Sequence, residues 1–206
     1  MNENNIIGAI LAGGKSQRMG QDKLFLKLNN KTLIEHTIDK VKKYLNKPII
    51  ITNLESEFFT KNDLITVKDC IGGQLGPLVG ILTAMKWAKE NSPKVSWIAT
   101  FPCDTPFFPE SIILNFIEES KKKESLILCA SSHGRKHNIF GLWSLDLYDK
   151  LYNDLVNNKV RKVEEWTKAN NIKNLEFQFK DYDPFFNINT LEDLEFAKKL
   201  LLKIKT

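Results

Sequence analysis

The sequence predicts one α/β domain built on a mostly parallel sheet, and three features of it carry that reading. Short apolar runs alternate with stretches of helical periodicity along the chain, the pattern of repeated strand–helix units. The first run, Ile6–Leu11, feeds straight into Ala12-Gly13-Gly14, so a buried strand opens onto a glycine loop. A later run, Val95–Phe101, stops abruptly at Pro102-Cys103-Asp104-Thr105-Pro106. No linker, repeat or low-complexity tract divides the 206 residues, and a single domain over 1–206 is expected.

After the first strand, Leu24–Leu28 alternates and reaches Asn29-Asn30, a pair suited to the positive φ of a tight turn. Thr32 caps a helix over Leu33–Leu45, which Asn46 and Pro48 close. Ile49–Thr52 and Leu64–Val67 read as short strands. Gly72-Gly73-Gln74-Leu75-Gly76 is a loop, and Pro77 stands at the first turn of a helix reaching about Glu90. Beyond the Val95–Phe101 strand come a helix from Pro109 to about Lys121 and a strand over Ser125–Ala130. The polar stretch Ser131–Asn138 reads as a loop, followed by a strand over Ile139–Trp143. Helices are expected from Leu145 to about Asn157 and from Val160 to Asn170, then a strand over Leu175–Phe179. Thr190 caps the last helix, with Asp193 in capping-box position.

With 42% hydrophobic residues the chain is no disordered polymer, and no apolar run approaches the ~20 residues of a membrane span. Met1-Asn-Glu-Asn-Asn carries no basic region and does not read as an export signal. Three cysteines, Cys70, Cys103 and Cys129, are an odd count without CxxC spacing, which speaks against a disulfide framework or structural zinc and for a reducing cytoplasm. The net charge of +5 is almost all dispersed lysine; arginine occurs only at Arg18, Arg135 and Arg161. No basic–aromatic stripe accompanies it, so neither nucleic acid nor membrane is an expected partner, whereas an anionic small substrate suits it. His133 and His137 lie four apart, but Gly134 between them points to a loop rather than a zinc site.

The segment Leu11-Ala-Gly-Gly-Lys-Ser-Gln-Arg-Met-Gly20 resembles two phosphate loops without being either. Gly14-Lys15-Ser16 imitates the end of a Walker A loop, yet the glycine required five positions earlier is Ala9. There is no GxGxxG either. What remains is three cations, Lys15, Arg18 and Lys23, beside adjacent glycines at the carboxyl end of the first strand, where open α/β sheets bind ligands. Such a loop is suited to a triphosphate. Asp104, held between Pro102 and Pro106, is a hard oxygen ligand suited to Mg²⁺, and it comes too early to cap the helix near Pro109.

These residues resemble a known family. Leu11-Ala-Gly-Gly-x-Ser-x-Arg-Met-Gly20-x-Asp22-Lys23, Phe101-Pro-Cys-Asp-Thr-Pro106, Gly76-Pro77-Leu78-x-Gly80 and Asn187-Ile-Asn-Thr190 are similar to the motifs of the molybdenum cofactor guanylyltransferases. The resemblance implies a Rossmann-like three-layer sandwich with a mostly parallel sheet, of the nucleotide-diphospho-sugar transferase type. Its N-terminal half would mainly bind nucleotide and its C-terminal half the acceptor. It implies transfer of GMP from GTP to the phosphate of molybdenum-molybdopterin, with release of pyrophosphate and with Mg²⁺ as cofactor. Carried over by motif, Leu11, Ala12 and Gly13 lie along the nucleotide, Lys23 contacts it, and Asn53 and Asp69 bind it; a shift of one residue would put Thr52 in place of Asn53. Asp104 holds Mg²⁺, Arg18 and Lys23 stabilise the departing diphosphate, and Asn187 and Asn189 lie near the transferred phosphate and the pterin. Arg161 is a further acceptor-side candidate. The resemblance also implies transient contact with molybdenum-inserting proteins or molybdoenzymes. Where the family pattern has His-Pro, this chain has His137-Asn138. A cytidylyltransferase, or another NTP transferase acting on a pterin-, sugar- or polyol-phosphate, shares the first loop; a noncatalytic nucleotide-binding accessory protein has no need of Asp104.

Overall fold

The structure is a computed structural model that describes residues 5–13, 23–73 and 76–204. In chain order the strands are β1 (Ile6–Leu11), β2 (Lys27–Leu28), β3 (Lys31–Thr32), β4 (Ile49–Ile51), β5 (Ile65–Val67), β6 (Trp97–Pro102), β7 (Ile127–Ser132), β8 (Arg135–Ser144) and β9 (Lys173–Phe177). The helices are α1 (Leu33–Lys42), α2 (Glu57–Lys61), α3 (Pro77–Asn91), α4 (Ser111–Lys122), α5 (Tyr148–Val156), α6 (Val163–Ala169) and α7 (Leu191–Ile204). Seven strands form one sheet in the order β5-β4-β1-β6-β8-β7-β9, and β2 pairs with β3 apart from it. Within the seven-stranded sheet only β8 runs against its neighbours and the other pairings are parallel, while β2 and β3 are antiparallel. Among the described residues no helix is long and apolar enough to cross a membrane.

The central strands are apolar throughout because the sheet is covered on both faces. Alternation sorts their side chains: Ile6 and Ile10 of β1 and Trp97, Ala99 and Phe101 of β6 join Phe108, Phe116 and Phe140 under α1 and α4. Ile7, Ala9 and Ile98 face the opposite way and meet Leu78, Leu82, Met85, Leu151 and Trp166 of α3, α5 and α6. The outcome is a three-layer α/β sandwich, as the sequence predicts. Gly8 lets α1 lie close on β1, since a Cβ there would stand 2.7 Å from Val41 Cγ1. A smaller cluster of Leu28, Leu33, Phe107, Ile188, Leu194 and Ala197 seats α7 against the start of α1.

Several local expectations are corrected. Ser131–Asn138 is no loop: β7 runs to Ser132 and β8 begins at Arg135, joined by a two-residue turn of His133 and Gly134 with φ of 47° and 77°. Positive φ at both turn positions matches the twist of a tight hairpin, and strand polarity is sustained by bonds from Ser131 Oγ to Glu176 and between Ser132 Oγ and His137 Nε2. Leu24–Leu28 is split into a 3-10 turn over Lys23–Phe25 and the two residues of β2. The helix expected from Val160 begins at Val163, because Lys162 is extended at its cap. The late strand is Lys173–Phe177 rather than Leu175–Phe179, and the structure adds α2, capped by Ser56 Oγ. Thr190 and Asp193 do form the capping box, each side chain accepting from the other's backbone N–H.

Candidate active site

Four parallel strands, β5, β4, β1 and β6, end along one edge of the sheet. Backbone bonds continue past the strands and keep their exits in step: Thr52 N donates to Val67 O, Ala12 N to Ile51 O and Cys103 N to Leu11 O. Carboxyl edges of parallel strands are where α/β sheets bind ligands, because the exit loops carry polar groups free of the ladder. Leu11, Ala12 and Gly13 leave β1 there, with Gly13 exposed.

One pole of the edge lies beyond β4 and β5. Asn53 Nδ2 donates to Asp69 Oδ2 at 2.7 Å, and Asp69 N donates back to Asn53 Oδ1 at 3.0 Å. The two loops are thereby locked together. Thr52 is buried, at 3% exposure, and its hydroxyl accepts from Leu54 N, so it is Asn53 whose side chain reaches Asp69.

The other pole is built on Lys23 and Asp104. Lys23 Nζ donates to Asp104 Oδ2 and to Asn189 Oδ1, both at 2.6 Å, joining residues 81 and 166 positions apart. The lysine side chain is 11% exposed and the carboxylate 24% exposed. The turn carrying Asp104 is fixed by its own backbone: Ile188 N donates to Asp104 O at 2.9 Å, and buried Thr105 donates through Oγ1 to Asn187 Oδ1. Asn187, Asn189 and the Thr190–Asp193 box thus belong to one construction, in which the box orders the backbone that presents both asparagines. Cys103 beside it is buried, and that burial, reinforced by the Asp104 charge, pushes its thiol up to about 12. It is no nucleophile at neutral pH.

A cleft of about 300 Å³ opens from Asp104 toward the C-terminal half, lined among others by Pro102, His137, Asn138, Phe185 and Asn187, with Arg135 and Lys136 at its rim. A break in strand register makes it. Pairing of β6 with β8 runs from Trp97–Ser144 to Thr100–Gly141, while pairing of β6 with β1 continues to Pro102. On the far side, Cys129 pairs with Gly141 but Ala130 pairs with His137, so Asn138, Ile139 and Phe140 bulge from β8. Thr100 Oγ1 holds the bulge by donating to Ile139 O at 2.6 Å while accepting from Trp143 Nε1 at 2.8 Å. His137 stacks on Phe185 with ring centroids 3.9 Å apart, and burial lowers its pKa below the ordinary histidine value. The departure from His-Pro falls at the start of this bulge, where the buried Asn138 Oδ1 has no hydrogen-bond partner.

The structure therefore brings together Lys23, Asp104, Asn187 and Asn189 at one pole and Asn53 with Asp69 at the other. It does not bring in Arg161, whose Nη1 donates to Leu155 O and Val160 O and closes the end of α5. Arg18, with Lys15, lies outside the described residues. His137, Asn138 and Phe185 line this cleft without a motif that assigns them to it; the sequence marks only the His137-Asn138 departure, and no spacing pattern marks a bulge.

Residues 8–171 match the family of the MobA-like NTP transferase domain, so the chain carries a nucleotidyltransferase domain. The molybdenum cofactor guanylyltransferase of Nitrobacter hamburgensis is 31% identical over 194 residues, 94% of this chain and 93% of the relative. The chain belongs to the molybdenum cofactor guanylyltransferase family. The fold also matches molybdopterin-guanine dinucleotide biosynthesis protein A from Archaeoglobus fulgidus, with a TM-score of 0.72 at 20% identity over 95% of this chain and 98% of that one. A 4-diphosphocytidyl-2C-methyl-D-erythritol synthase from Anaerococcus prevotii gives 0.71 at 15% identity, covering 96% of each chain. These two are likenesses of fold alone.

Proposed function

We propose that this enzyme transfers GMP from GTP to the phosphate of molybdenum-molybdopterin, forming molybdopterin guanine dinucleotide and releasing pyrophosphate. The observation that carries the reading is the Lys23–Asp104–Asn189 cluster standing between the β1–β4–β5 edge and the cleft under β8, in a chain of this family. A site for joining two anions needs a cation and a metal-holding carboxylate between two binding regions, and this one has both.

Backbone groups of Leu11, Ala12 and Gly13 line the nucleotide. Asp69 keeps one carboxylate oxygen beyond its bond to Asn53, suited to ribose hydroxyls or guanine N–H groups. An ammonium has three donors; Lys23 commits two, to Asp104 and Asn189, and its third serves the phosphates together with Arg18. Among the described residues no group of three or more His, Cys, Asp or Glu could cage a metal. A single carboxylate nonetheless fits Mg²⁺, which keeps waters and takes other ligands from substrate phosphates, and Asp104 would hold it. When bound, the ion screens charge on the α-phosphate. The acceptor phosphate is ionised near neutral pH, so its oxygen attacks the α-phosphorus in line without a general base. Asn187 orients it from the cleft, and Lys23 with Arg18 stabilises the departing pyrophosphate. Arg135 and Lys136 favour an anionic acceptor at the rim. The site works in the cytoplasm within the single domain, with transient contact to proteins that insert molybdenum or receive the product.

Calorimetric titration of GTP, CTP, ATP and UTP in Mg²⁺ tests this. GTP should bind preferentially, and Lys23→Met should weaken it. Preference for CTP would transfer the reading to a cytidylyltransferase on the same fold, and binding of none would remove the catalytic assignment.

A further inference from the structure

We propose that Lys40 is a positioning residue for Asp104: from α1, its ammonium clamps the carbonyls of Pro106 and Phe108 and so sets the turn from which the carboxylate projects. Lys40 Nζ lies 2.7 Å from both oxygens, and it stands over the Phe108 ring, 4.7 Å from the centroid. A helix-surface lysine normally extends its ammonium into water. This one turns inward at a cost, since burial lowers its pKa to about 8 against the countering charge of Glu110.

The turn needs such a clamp. Pro102 and Pro106 have no N–H to give, so the segment between them forms few backbone bonds of its own. Its entry is tied by Cys103 N to Leu11 O, and its middle by Ile188 N to Asp104 O and by Thr105 to Asn187. Its exit is tied by Phe108 N to Thr105 O at 3.4 Å and by the two charge-assisted bonds from Lys40. Lys43 and Tyr44, one helical turn on, both bond Glu110 and moor α1 to the segment leading into α4. Lys40 touches neither substrate nor metal; it acts through the backbone of the Asp104 turn. The inference rests on the reading of Asp104 as the carboxylate that holds the metal.

The test uses the full chain with GTP and Mn²⁺, following the paramagnetic resonance signal of Mn²⁺ against a protein-free Mn²⁺–GTP control and measuring GTP affinity in chelator by calorimetry. Wild type should take up Mn²⁺ with GTP, and Asp104→Ala should lose that uptake. Lys40→Met keeps the apolar stem and removes the donors. It should weaken Mn²⁺ uptake about tenfold, the lower range for loss of a group that orients a metal ligand, with GTP affinity measured in chelator nearly unchanged. Lys40→Arg restores a cation with two donors and should recover most of the loss. A folded Lys40→Met with wild-type Mn²⁺ affinity overturns the positioning role and leaves Lys40 a stabilising contact only. If that variant does not fold, Lys40→Gln is read in its place against the same expectations. Wild type that takes up no Mn²⁺ with GTP removes the assignment of Asp104 and the inference with it.

Discussion

Asp104 and Lys23 neutralise one another across 2.6 Å; Lys23 is also bonded to Asn189, and the Asp104 backbone is held by Ile188 N. Preorganised charge of this kind acts on the transition state more than on the fold. Asp104→Ala should therefore lower turnover on the order of 100-fold, as loss of a preorganised electrostatic group does, with little change in melting temperature; guanylyl transfer and thermal unfolding measured on one preparation check both halves. Lys40 makes a prediction of opposite kind. Its folded-state pKa is lowered from 10.5 to about 8, so between those values the unfolded chain binds more protons than the folded one. Stability from this group accordingly rises as pH climbs from about 8 to about 10.5 and is level below that window. In denaturant titrations at pH 8 and 10.5, wild type should gain ~1–3 kcal/mol relative to Lys40→Met, the order expected for a shift of this size.

At the scale of elements, the site depends on two close fits. Gly8 lets α1 approach β1, and a methyl there would meet Val41 at 2.7 Å. Gly8→Ala should cost about 1–3 kcal/mol by overpacking, read as a lower denaturation midpoint, because Val41 is too stiff to turn aside. The β8 bulge depends on one hydroxyl. Thr100→Val would strand both Ile139 C=O and Trp143 N–H in the interior, at about 1–3 kcal/mol. It should also loosen the cleft wall, raising the KM for the acceptor while leaving GTP affinity near wild type, since the nucleotide edge lies across β1, β4 and β5. Proportional loss of both affinities would contradict that division of labour.

At the scale of the whole molecule, ligand binding and folding are linked. GTP with Mg²⁺ at 100 times its dissociation constant should add about 2.7 kcal/mol to stability, and Asp104→Ala should remove the part that requires Mg²⁺. Thermal scans with GTP, with and without chelator, separate the two. Regions differ in how far the sequence alone makes them legible. Ile6–Leu11 and the strand ending at Pro102 were plain, because strands covered on both faces are continuously apolar and prolines stop them. Asn53 could not be told from Thr52 by sequence, since neighbours at a strand end point to opposite sides; burial of Thr52 and the bond to Asp69 separate them. The hairpin was hidden because Ser131–Asn138 is polar yet paired, its polar groups satisfied by side chains from other segments. Local pattern and motif thus determined the α/β class and the caps of α1 and α7, and singled out Lys23, Asp104 and Asp69 as candidates. Only the tertiary structure decided that Lys23 meets Asn189, that β8 bulges beside Asp104, that Arg161 serves α5 and that Lys40 turns inward. The physical reason is range: propensity and periodicity act over a few residues, whereas those contacts depend on packing between segments far apart in the chain.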